Sequence, residues 1–77
     1  MVLYECVRYD IFEEELYSSE LGRYRSFGII GRNASGDEVV FCSDVSPDKS
    51  LVAELCDKCN ALGISPVHLL DVIEDSL

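Results

Sequence analysis

Positive charge is what this 77-residue chain has least of: six Lys and Arg stand against 15 Asp and Glu, a formal net charge of -9. That imbalance repels phosphate backbones and anionic lipid headgroups, which argues against nucleic-acid and membrane-surface binding. The few basic residues are unevenly placed, with Arg8, Arg23, Arg25 and Arg32 in the first half and only Lys49 and Lys58 after them. Arg23 and Arg25, two apart, share one strand face while Tyr24 points the other way, so they read as a solvated sheet face. Long apolar runs are also lacking. Glu5, Arg8 and Asp10 interrupt the N-terminal stretch where a signal peptide needs continuity, and no later segment approaches membrane-spanning length. A cytoplasmic location is therefore expected, and with it four cysteines that are reduced thiols or ligands rather than a disulfide framework. The chain also has no repeat, linker or low-complexity segment, and its size suits one domain over residues 1–77.

Hydrophobic residues make up 48% of the chain, enough for a packed core and too many for a disordered tail. In the first segment, "VLYECVRYDIF", Leu3, Val7, Tyr9 and Ile11 alternate with Tyr4, Cys6, Arg8 and Asp10, a strand pattern. The like-charged "EEELYSSELG" that follows reads as a connection. A second strand, "RYRSFGIIGR", sets Phe27 and Ile29 on one face and Tyr24 and Ile30 on the other, with Gly28 and Gly31 marking a bulge or close backbone approach. "NASGD" is a turn onto a third strand, "EVVFCS".

Ser46 before Pro47 gives an N-cap followed by proline at the first helical position, with Asp48 in the first turn. Along that helix Leu51, Leu62, Leu55, Cys59, Val52 and Cys56 fall within an arc of about 140°. Gly63 stops it, and Ser65-Pro66 starts a second helix whose apolar face carries Leu69, Leu70, Val72, Ile73 and Leu77. The order β-β-β-α-α predicts an α+β domain: a three-stranded antiparallel sheet followed by two helices packed on one face.

The candidate chemistry lies in "CDKCNALGISPVH". A zinc site would use Cys56, Cys59 and His68 with Cys42 or Cys6 as fourth ligand. Against it, "ELCDKCNAL" has no turn residue between its cysteines and continues a helical pattern with both sulfurs on the apolar arc, so packing is the preferred reading. A redox pair needs its first cysteine at a helix N-terminus, and Cys56 lies deep in the helix. His68 with Asp71 as a general base lacks any matching nucleophile or oxyanion element, which leaves a structural or partner-contact role. Asp71, Glu74 and Asp75 lack the dense ligand spacing of a calcium loop and read as a solvated face. Tyr4, Tyr9, Tyr17 and Tyr24 are of a type enriched in interfaces, and a sheet covered on one side leaves its other face free.

"FGI", "DVSPDKSLVAELCDKCN" and above all "ISPVHLLDVIEDSL" resemble a small domain-of-unknown-function family of Gram-positive bacteria that ends in a Ser/Asp-Pro-x-His-Leu-x-Asp-Val-x-Glu-Asp pattern. The resemblance covers Phe27 to Leu77, with Pro66, His68, Leu69, Asp71, Val72, Glu74 and Asp75 on the pattern, and it implies no activity or cofactor. The expectation is a non-enzymatic interaction or regulatory module without a cofactor. It would contact a protein partner through His68, Asp71 and Asp75, or self-associate as a homodimer through the free sheet face or an edge strand. The alternative is a zinc-stabilised domain using Cys42, Cys56, Cys59 and His68.

Overall fold

A computed structural model describes residues 7–76. Three antiparallel strands, β1 (Arg8–Ser18), β2 (Gly22–Arg32) and β3 (Glu38–Ser46), form one sheet in the order β1-β2-β3. Helix α1 (Lys49–Leu62) follows, then a 3-10 turn (Pro66–His68) that runs directly into α2 (Leu69–Ser76). The α+β architecture is the one its periodicities predict. The start of the expected first strand, with Leu3, Tyr4 and Cys6, lies outside the described residues, as does Leu77. Among the described residues no helix is long and apolar enough to cross a membrane.

The largest departure from expectation is the length of β1. "EEELYS", read as a connection, is strand, and the turn is only Ser19–Leu21. The cross-strand register explains it: Glu13 lies opposite Phe27, Glu15 opposite Arg25 and Tyr17 opposite Arg23. Glu13 pairs with Arg25 at 3.0 Å and Glu15 with Arg23 at 3.7 Å, so alternate acids of the run meet alternate bases of the next strand. Glu14, on the opposite face, accepts hydrogen bonds from Ser43 Oγ and from the Asp44 backbone N–H. A run that repels itself along the chain is thus neutralised across it. At ~3.3 Å per residue the eleven-residue strands reach ~36 Å, against ~21 Å for the fourteen-residue helix α1. The β1–β2 hairpin therefore runs on past the helix layer, and the arginines lie on a solvated sheet face there.

Tyr9 and Ile11 of β1, Phe27 and Ile29 of β2, and Val40, Cys42 and Val45 of β3 meet Val52, Leu55, Cys56 and Cys59 of α1 and Leu69 and Ile73 of α2 in one cluster. Ile29 at its centre is fully buried, as are Val52 and Cys59. Each such aliphatic side chain contributes ~1.5–3 kcal/mol of transfer free energy. The expected apolar arc of α1 holds for Val52, Leu55, Cys56 and Cys59, but Leu62, the last residue of the helix, is exposed. Tyr9 belongs to this core and not to an interface: its hydroxyl donates to the Ile64 carbonyl oxygen.

Gly28 fixes the sheet's spacing. A Cβ there would lie 2.5 Å from the Cys42 carbonyl oxygen and 2.6 Å from the Phe12 ring, which crosses the glycine to stack on Phe41 at 4.5 Å between centroids. Just beyond, β3 shifts register against β2, and Asp44 adopts a left-handed φ of 53°. That conformation is held by hydrogen bonds from Ser26 Oγ (2.6 Å) and the Tyr24 hydroxyl (3.0 Å) to the Asp44 carboxylate.

The helix starts also differ from expectation. Asp48, not Ser46, caps α1, its Oδ1 accepting from the Ser50 and Leu51 N–H groups. Ser46 ends β3 and instead accepts from the Asp48 N–H, turning the chain one step before the cap. Gly63 closes α1 in the left-handed conformation as expected, with φ 62°. Ser65-Pro66 does begin the second helical segment, but its first turn is 3-10, closed by the His68 N–H donating to the Ser65 carbonyl.

Candidate functional site

The two outer strands each have a free edge, and they are treated differently. On β1, Asn60 of α1 reaches the Tyr9 backbone: Oδ1 accepts from the Tyr9 N–H at 2.7 Å, and Nδ2 donates to the Tyr9 carbonyl at 2.8 Å. The primary amide presents the donor and acceptor that a neighbouring strand's peptide would present. Tyr9 therefore points both backbone groups away from β2.

In an antiparallel sheet that orientation propagates by alternation. Tyr9 lies opposite Gly31, so Gly31 directs its groups towards β3 and bonds with Val40. Phe41, next along β3, then faces its N–H and C=O outward, while a bulge between the Gly31–Val40 and Arg32–Glu38 pairs ends the regular alternation at Val39. Among the described residues no side chain or turn hydrogen bond meets either group of Phe41. Beside this edge lies a groove of about 280 Å³ lined by Val40, Phe41, Cys42, Pro66, Leu69 and Leu70. The adjoining segment is apolar and exposed: Val67 is 80% accessible, Leu70 57% and Phe41 50%. Nothing in the residue pattern singles out Asn60, since its role rests on the fold alone. The unbroken quartet Val39-Val40-Phe41-Cys42, without lysine or proline, was the legible sign of an open edge.

The residues expected at the site fall on the same helical segment. His68 Nδ1 lies 3.9 Å from Asp71 Oδ2, and both side chains are largely exposed, as is Asp75. A pair so open to water has little electrostatic coupling. His68 does not line the groove.

The cysteines separate from the histidine. Cys59 is fully buried and Cys56 nearly so, between α1 and the sheet, while Cys42 is half-buried at the groove. Burial raises all three thiols; Cys56 is pushed up to about 11, with Cys59, Asp10 and Asp57 adding to the effect. For Cys59, Lys58 pulls the other way. Such thiols hold their protons and are poor nucleophiles at neutral pH. Among the described residues no three of His, Cys, Asp and Glu are arranged to hold a metal ion. Cys6 lies outside the described residues.

With this geometry in place, the comparison with family models is decisive for kinship. Residues 4–77 match the model of the Family of unknown function (DUF6514). The chain belongs to that family. The match takes in the first strand as well as the C-terminal half from which the sequence resemblance was read. No curated protein and no solved structure gives a significant match. DUF6514 membership thus covers β1 to α2 as one continuous match and assigns no activity to it.

Proposed function

We propose that this DUF6514 protein is a non-enzymatic interaction module that meets a protein partner with the groove between β3 and α2, with His68, Asp71 and Asp75 as its polar contacts. The observation that carries the reading is the interleaving on one short segment: Val67 and Leu70 exposed, His68 and Asp71 beside them, and an apolar groove underneath. Exposed apolar side chains rimmed by polar ones are the usual anatomy of an interface. The net charge of -9 favours a partner surface carrying Lys or Arg, whose encounter would be steered and salt-sensitive.

The test is site-specific photo-cross-linking in the cells that make the protein, with the reactive group at Leu70 and, as control, at Leu21 on the β1–β2 turn. A discrete adduct at Leu70 that is weakened by Asp71→Ala with Asp75→Ala, with the domain still folded by circular dichroism, is the expected result. Equal adducts at both positions, or an adduct indifferent to the aspartates, would contradict it. A zinc-stabilised domain remains the competing proposal, and the burial of Cys56 and Cys59 away from exposed His68 weighs against it. Native mass spectrometry with and without chelator separates the two: a zinc mass per subunit, lost with chelator, would favour the metal reading.

A further inference from the structure

The partner's form can be read from the difference between the two edges. An edge strand that is long and uncharged attracts any other strand, and folded proteins close such edges with charges, bulges or covering groups. Here β1 is closed twice, by five charged residues among its eleven and by the Asn60 amide on the Tyr9 backbone. β3 carries only Glu38 and Asp44 among its nine residues, and its two bulges flank, without interrupting, the regularly paired apolar stretch Val40 to Cys42 between them. Its outward peptide groups at Phe41 border the apolar groove.

We infer that the open edge of β3 takes an extended segment of a partner protein as a fourth strand, the segment alternating apolar residues with Lys or Arg. This rests on the interaction reading above and specifies its mode. Three observations select that chemistry. The outward N–H and C=O of Phe41 need a backbone, not a side chain, to satisfy both at strand spacing. In an added strand every second side chain falls over the helix face, where Pro66, Leu69 and Leu70 supply an apolar wall. Glu38 and Asp44 at the two ends of the edge, and a net charge of -9, complement basic residues. A second copy of this chain is the poorer occupant, because antiparallel pairing centred on Phe41 puts Glu38 opposite Asp44 in both halves and brings two charges of -9 together.

The probe is a synthetic seven-residue peptide alternating Lys with Val or Ile, titrated into the isotope-labelled full chain and followed by NMR. Two further versions are N-methylated on alternate residues, one along each edge of the peptide. Strand addition uses only one edge, so one methylation pattern should weaken binding by at least about tenfold, the loss of one to two backbone hydrogen bonds, while the other is tolerated. Shifts should centre on residues Val39 to Ser43 and extend to Leu70. Phe41→Pro, which removes the outward N–H, should weaken binding by about tenfold, and Phe41→Ala, which keeps it, by clearly less.

Equal sensitivity to the two methylation patterns, or to neither, overturns strand addition and leaves simple charge attraction. Sedimentation showing a dimer that Phe41→Pro dissociates overturns it in favour of a second copy. If no peptide shift appears but the Leu70 cross-link persists, strand addition falls and the interaction reading stands. If both are absent, both fall.

Discussion

The two outer strands of the sheet solve the same problem in opposite ways. β1 has its backbone covered by a helix side chain that stands in for a strand, and charged residues fill much of its length. β3 has an apolar middle, outward peptide groups and a groove beside it. A small acidic domain could have closed both edges with charge, and this one closes only the edge that faces away from the exposed part of α2. The difference teaches that exposure at β3 is a local property of the fold and not a general looseness of a small chain.

The middle strand holds the two edges at their spacing, so the largest effect is expected there. Gly28→Ala would drive a Cβ into the Cys42 carbonyl of β3, which cannot yield as the Phe12 ring can. It should destabilise the domain by about 3 kcal/mol, measured by urea unfolding. Unchanged stability would mean that β2 and β3 do not lie as close as described.

Removing the cover from β1 is next. Asn60→Ala leaves the Tyr9 N–H and C=O without their partner and should cost about 2 kcal/mol. It should also make β1 resemble β3, with concentration-dependent association stronger than the parent's. Loss of stability without a change in the Tyr9 amide would separate the role of Asn60 in the helix from its role at the edge.

The thiols sharpen the contrast between closed interior and open groove. Cys59→Ser places a hydroxyl in the core and should cost about 1–2 kcal/mol, and Cys42→Ser, at the half-buried groove, about half that or less. A neutral alkylating reagent should modify Cys42 well before Cys56 and Cys59, as mapped by peptide mass. The pH dependence has a defined sign. The unfolded chain releases the Cys56 proton near the ordinary value of 9.0, while the folded chain holds it until about 11. The unfolded state then binds fewer protons across that window, so the contribution is full below pH 9.0 and stability falls as pH rises towards 11. A flat melting temperature over this range would show that Cys56 is not buried as described.

The smallest effect is expected on the projecting hairpin. Arg25→Ala breaks the 3.0 Å pair with Glu13, both side chains being more than half exposed, and should change stability by less than ~0.5 kcal/mol. A larger loss would mean that this pair is more shielded from water than its exposure implies.

Much of this architecture was legible from periodicity: three strands and two helices, the inward set Tyr9, Phe27 and Ile29, and the stop at Gly63. The reading failed where a local rule met a distant partner. Glu13 to Glu15 repel one another in sequence and are strand because Arg25 and Arg23 of β2 reach Glu13 and Glu15, and Ser43 and Asp44 of β3 meet Glu14. Ser46-Pro47 has the form of a helix start, but Asp48, two residues on, has the carboxylate that reaches two N–H groups. His68, Asp71 and Asp75 lie together on the second helical segment, where all three are exposed. The role of Asn60 was not foreseeable, because it depends on which edge α1 crosses, and that is a property of the packed chain; the open edge at Phe41 had a sign only in the apolar run Val39 to Cys42.

One edge of the sheet is closed and the other open, and amide hydrogen exchange on the dilute, isolated protein distinguishes them residue by residue. Tyr9 and Phe41 both point their N–H groups away from β2, so β2 protects neither. The account predicts that the Tyr9 amide exchanges slowly, held by Asn60, and that the Phe41 amide exchanges many times faster in the same sample. Equal protection at both positions would contradict it, since β3 would then already be covered in the isolated protein.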